Sequence, residues 1–160
     1  MYANFENLPE EKKKRIIEAC MEEFAHNGYD KASTNNIVKK AGISKGAIFH
    51  YFGNKKNLYL YILDYVISYM SKKLYDMMGT SSDDIFERIV NTGVVKIKLA
   101  YEEPLMYEMI YMAFITTPEE LKEEIQKRYN KLYAESMPFF MGNIDMSRFR
   151  EDIDQRKAWK

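Results

Sequence analysis

Apolar residues recur along this chain every three to four positions, and no segment shows the alternation of a half-buried strand. In "LPEEKKKRIIEACMEEFAHNGYD", Ile17, Cys20, Met21 and Phe24 make one face of a first helix. Pro9 suits its first helical position, Glu10 and Glu11 suit the positive end of its dipole, and Gly28 predicts a left-handed stop. Ser33 or Thr34 predicts the cap of a short second helix ending near Lys40. Gly42 turns the chain, and Ser44 caps a third helix through Tyr51. Gly53 and Asn54 then break and cap ahead of a long fourth helix over 55–78. There Leu58, Ile62, Val66, Met70, Leu74 and Met78 fall four apart, with Tyr61, Tyr65 and Tyr69 in a flanking strip. A helix apolar around so much of its circumference belongs between two packed layers. Gly79 ends it, and Ser81 or Ser82 predicts the cap of a fifth helix. Pro104 predicts the start of a sixth. "TPEE" at 117–120 reads as a capping box opening a seventh, expected to end near Glu135, before Pro138. The chain reads as all-α, without repeats or low-complexity tracts.

Composition narrows the class. With 160 residues, 46% hydrophobic and 30% charged, the chain can bury one good core, or form a small module on a larger one. No apolar run approaches the roughly 20 residues that span a bilayer. The N-terminus has no signal-peptide pattern, and the single cysteine, Cys20, excludes an internal disulfide framework. A cytoplasmic protein is expected. Cys20 lies on an apolar helix face and reads as a buried, inert thiol.

Charge changes the picture locally. The formal net charge is zero, yet no Asp or Glu occurs from Lys31 to Leu63, which carries Lys31, Lys39, Lys40, Lys45, Lys55 and Lys56. Residues 1–56 hold ten Lys and Arg against seven Asp and Glu; residues 57–160 hold fourteen against seventeen. The basic run calls for an anionic partner. Its second and third helices, joined at Gly42, form a helix-turn-helix candidate with Ile37, Ala41, Ile43 and Ile48 where the helices cross. That register exposes Lys45, Gly46, Ala47, Phe49 and His50, with Tyr51 at the end. Lys45 suits guanine O6/N7 and the Ala47 methyl suits a thymine methyl, while Gly46 clears the way for close backbone approach. Ser44, His50, Tyr51 and Lys55 suit phosphate oxygens, Lys55 aided by the free N–H groups of the helix it opens.

These residues carry a family resemblance. Gly28-Tyr29, Ser33-Thr34, Ile37-Val38, Ala41 to Gly46, His50-Tyr51-Phe52, Asn54-Lys55 and Leu58 fall in one register that resembles the DNA-binding signature of the tetracycline-repressor (TetR) family, over roughly residues 10–63. The resemblance implies a helix-turn-helix DNA-binding domain over 1–54 and a helical effector-binding and dimerisation domain over 55–160. By position it assigns DNA contacts to Thr34, Ser44, Lys45, Gly46, Ala47, Phe49, His50, Tyr51 and Lys55. Phe49 departs from the tyrosine frequent there and reads as packing. An effector cavity is expected among Tyr65, Tyr69, Met70, Tyr101, Met106, Tyr107, Met109, Ile110, Met112 and Phe114, on helices that surround the ligand in the family.

The expected protein is a transcriptional repressor that binds double-stranded DNA at a near-palindromic operator as a homodimer, and is released by a small apolar effector. The alternative is a helical ligand-binding or protein-interaction module that reads no DNA sequence. No phosphate-binding glycine loop, metal-ligand spacing or nucleophile with a matched base points to an enzyme, a metal or a cofactor. The chain stops at "RFREDIDQRKAWK", which reads as the beginning of a further helix. Family members commonly run longer, their last helices forming the dimer bundle, so the C-terminal helices are expected to be missing.

Overall fold

The structure is a computed structural model that describes residues 2–79 and 82–145. Among these there are helices and no strand: α1 (Ala3–Glu6), α2 (Glu10–Lys31), α3 (Thr34–Ala41), α4 (Lys45–Phe52), α5 (Lys55–Met78), α6 (Ile85–Glu102), α7 (Pro104–Phe114) and α8 (Lys122–Met141). A single 3₁₀ turn, Glu119–Leu121, leads into α8.

Local chemistry places most boundaries. The Ser44 hydroxyl accepts from Ala47 N–H at 3.1 Å, and Asn54 Oδ1 accepts from Asn57 N–H at 2.8 Å, so α4 and α5 begin where their caps predict. Gly79, at φ 57°, ends α5. Pro9 is the N-cap of α2 and not its first residue. Gly28 interrupts α2 at φ 64°, ψ 178°, after which one more turn runs to Lys31.

Three expectations are corrected. Asp84 caps α6, accepting from Phe86 and Glu87 N–H; Ser82 instead receives Asp84 N–H, and Ser81 lies outside the described residues. No capping box forms at 117–120, because Thr117 donates back to the Ala113 carbonyl and Pro118 leads into the 3₁₀ turn. Finally, α8 runs through Pro138 to Met141. Arg88, only 3% exposed, supports that last stretch: its guanidinium donates to the carbonyls of Phe140 and Gly142 at 2.7 Å and to that of Ser82. Carbonyls left open by the end of the helix thus find their donor on α6. The expected helix in the final residues also lies outside the described residues.

One core runs through the molecule. Phe24, Ile37, Ile48, Leu58, Tyr59, Ile62, Leu63, Val66 and Met109 are buried together. Cys20 is fully buried, and burial holds its thiol well above the usual range, as an inert core group. α2 packs chiefly on α7 and α3, while α5 lies against α2, α6 and α7. The outer face of α6 differs, presenting Phe86, Val90, Val94, Ile97 and Tyr101 to solvent. No described helix is long and apolar enough to cross a membrane.

Candidate nucleic-acid interface and ligand cavity

The helix-turn-helix forms as the spacing predicts. Ile37, Ala41 and Ile48 are buried at the crossing, Ile43 is half-buried in the turn, and Gly42 takes the left-handed conformation at φ 64°, ψ 40°. Ile43 N–H donates to the Val38 carbonyl at 3.0 Å and locks the turn.

α4 is held from behind by aromatics. Phe52 is buried against Phe5 at 4.8 Å, Tyr61 at 5.2 Å and Tyr2 at 5.6 Å between ring centroids, and Tyr51 lies 5.9 Å from Phe5. This clamp uses α1, a four-residue helix too short to show a period, so the sequence gives little sign of it. Tyr61 closes it by donating to Glu6 Oε1 at 2.5 Å.

The opposite side of α4 faces solvent. Ser44, Lys45, Gly46 and His50 are exposed, while Thr34, Ala47, Phe49, Tyr51 and Lys55 are half-buried. Phe49 packs against the core, in keeping with the packing reading. No carboxylate lies within ion-pair reach of Lys45 among the described residues. Gly46 is not needed by the fold, since a Cβ there would meet only Ser44 Oγ, at 3.9 Å. His50 Nε2 lies 3.0 Å from Asn4 Nδ2, so the ring accepts there and presents Nδ1 as its other edge. Lys55 is partly engaged: Nζ donates to the Asp30 carbonyl at 3.1 Å and sits 4.9 Å from the centre of the Tyr29 ring. Lys40 pairs with Glu22, while Lys39 has no carboxylate within ion-pair reach among the described residues.

Beside this surface, the 3₁₀ turn and the start of α8 hold α2 and α5, the helices that flank the helix-turn-helix. Lys56 Nζ reaches Glu124 Oε1 at 2.5 Å, Tyr29 donates to Glu120 Oε1 at 3.0 Å, and Arg128 holds Asp64 through two bonds of 2.7 Å. Lys56 holds the Glu124 carboxyl below its usual range; burial and then Glu120 push the Tyr29 hydroxyl up to about 12. None of these pairings follows from spacing, since each joins residues 60 or more apart in sequence.

Further along, α8 closes a cavity of about 350 Å³ with α5, α6 and α7. Of the expected pocket residues, Met70, Tyr107, Ile110 and Phe114 line it. Tyr65, Tyr69 and Met106 line a separate groove on the α2 side, where Tyr69 donates to Glu103 at 2.9 Å. Met109 is core, Met112 Cε lies against Gly28, and Tyr101 is 85% exposed on the outer face of α6. Helical geometry explains the split along α7, because 107, 110 and 114 share one face while 109 and 113 turn to the core. The spacing does not reveal the contributions of Tyr75, Lys96, Leu99 and Leu132 to the cavity wall.

Residues 16–62 match the family model described as "Bacterial regulatory proteins, tetR family". A solved TetR family transcriptional regulator from Chloroflexus aurantiacus superimposes with a TM-score of 0.66 at 30% identity, over 86% of this chain and 66% of that one. The chain belongs to the TetR family. Among its TetR-like relatives, the fatty acid metabolism regulator protein of Bacillus subtilis is 27% identical over 154 residues, 90% of this chain and 74% of that protein. The transcriptional repressor AcnR of Corynebacterium glutamicum is 40% identical over 52 residues, 32% of this chain and 28% of AcnR. The chain thus spans just under two thirds of the solved TetR regulator and about three quarters of the B. subtilis one.

Proposed function

We propose that this protein is a cytoplasmic, sequence-specific DNA-binding transcriptional regulator, a repressor and not a catalyst, with residues 1–54 as its DNA-binding unit and 55–160 as its effector-binding and dimerisation unit. One observation carries the reading: the leading turn of α4 presents Ser44, Lys45 and Gly46 to solvent, free of carboxylates, on a helix clamped from behind. A recognition helix reads base edges from its N-terminal residues. Lys45 and Ala47 then face bases; Thr34, Ser44, His50, Tyr51 and Lys55 hold phosphates. A homodimer presents two such helices to successive major grooves, about 34–36 Å apart, on a near-palindromic operator.

A small apolar effector fits the cavity, and α8 is the lever. The 3₁₀ turn that leads into it holds Tyr29 of the DNA-binding unit, its first turn holds Lys56 at the margin of that unit, and its later turns line the cavity. A ligand that shifts α8 moves the helix-turn-helix, and by linkage DNA weakens the ligand by the same factor.

The test compares two alanine variants on specific and random duplexes across a salt series. Lys55→Ala should weaken binding to every sequence and reduce the salt slope by about 1, whereas Lys45→Ala should also relax base preference. Equal losses on specific and random DNA for Lys45→Ala would remove its base-reading role.

A further inference from the structure

The wall of the cavity between α5, α6, α7 and α8 is apolar apart from a few hydroxyls and one charge. That charge is Lys96. Other lysines of the α5–α8 layer, namely Lys73, Lys98, Lys122, Lys127 and Lys131, each have a carboxylate within ion-pair distance. Among the described residues beyond Lys56, only Lys96 and Lys72 do not, and Lys72 lines a different groove, between α5 and α8. Lys96 is exposed, so its ammonium lies at the rim of the cavity and not in its depth. Further polar groups are the hydroxyls of Ser71, Tyr75, Tyr107, Tyr129 and Ser136. At about 350 Å³ the space is at the small end of ligand sites, which run to roughly 1,000 Å³. With no carboxylate, amide or imidazole side chain in the wall, a sugar or a nucleobase would leave buried donors and acceptors unpaired.

We infer that the cavity takes a single-chain amphiphile with an anionic head, its aliphatic chain against Met70, Leu74, Leu99, Ile110 and Phe114 and its head at Lys96. This rests on the effector reading above and adds the ligand's chemical class. The apolar wall rewards chain length, by about fourfold in affinity per added methylene until the cavity is full. The rim charge selects the head: it attracts an anion, repels a cation, and gives a neutral head no charge pairing. Carboxylate and phosphate heads share this chemistry.

Calorimetric titration of the whole protein with octanoate, decanoate and dodecanoate, kept below their micellar concentrations, tests the inference against decanol, decyl phosphate and decyltrimethylammonium. Affinity should rise along the carboxylate series. Decanoate or decyl phosphate should exceed decanol by about fivefold at low salt, and the cation should bind weakest. A preference for one anion over the other identifies the head. Lys96→Met should bring decanoate down to the level of decanol and leave decanol unchanged, whereas Lys72→Met should alter neither. Thermal melting of Lys96→Met should match the wild type, since the ammonium has no partner to lose. Decanol binding as tightly as decanoate, or a Lys96→Met variant that keeps the anion preference, would overturn the inference while leaving an apolar effector in place. Failure of every amphiphile to bind would overturn both.

Discussion

Two glycines show how differently one residue type can act. Gly28 sits at φ 64°, ψ 178°, a region essentially closed to other residues, and a Cβ there would press on Met112 Cε at 3.1 Å. Gly28→Ala is expected to cost about 1–3 kcal/mol, read as a fall in melting temperature. Gly46 is the reverse case, helical and open on its outer side. Gly46→Ala should raise stability by up to about 1 kcal/mol through helix propensity, yet weaken binding to operator DNA by crowding the groove. A variant that melts higher and binds DNA as before would remove Gly46 from the interface. Arg88 is the third informative residue. Arg88→Ala removes the donor of the part-buried carbonyls of Ser82, Phe140 and Gly142 and should cost about 1–3 kcal/mol. Hydrogen exchange should rise in the last turn of α8 before it rises in α2.

Among the elements that line the cavity, α5 and α7 pack directly on α2, while α8 reaches the margin of the DNA-binding unit through Lys56 at the start of α5. Its Glu124–Lys56 pair has a pH dependence of definite sign. The Glu124 carboxyl is held below its usual range by Lys56, so the contact contributes above the ordinary carboxylate pKa and is lost as pH falls through the lowered value. Exchange at the start of α8 should therefore increase on acidification in the wild type. In Glu124→Gln it should already be raised at neutral pH and show no such step, with the melting temperature nearly unchanged. An acid step that persists in the variant would assign it to another group. Element boundaries set by neighbours in the chain were legible in the sequence: Ser44 and Asn54 cap α4 and α5, and Gly79 ends α5. The end of α8 was not, because Arg88 on α6 satisfies carbonyls some fifty positions away and carries the helix past Pro138. The cavity shows the same divide. The stripe of 107, 110 and 114 on α7 was readable, but which residues of α6 and α8 complete the wall depends on helix rotation that no local pattern encodes.

At the scale of the molecule, the segment without a carboxylate, 31–63, coincides with the surface built on α3, α4 and the start of α5. Carboxylates of α2 and α8 tie down the lysines at its margin, Lys40 by Glu22 and Lys56 by Glu124. What stays open is the front: Lys39, Lys45 and the N-terminal turn of α4. The layer of α5, α6, α7 and α8 behind this front encloses a small, largely apolar cavity. The most direct test is a selection from random duplex DNA with the wild-type protein and Lys45→Ala in parallel, each followed by titration at two salt concentrations. The account predicts that the wild type enriches a near-palindromic sequence, bound far more tightly than random DNA, and that Lys45→Ala loses the consensus while keeping salt-dependent binding. Wild-type protein that enriches no sequence, or the same consensus from both proteins, would contradict it.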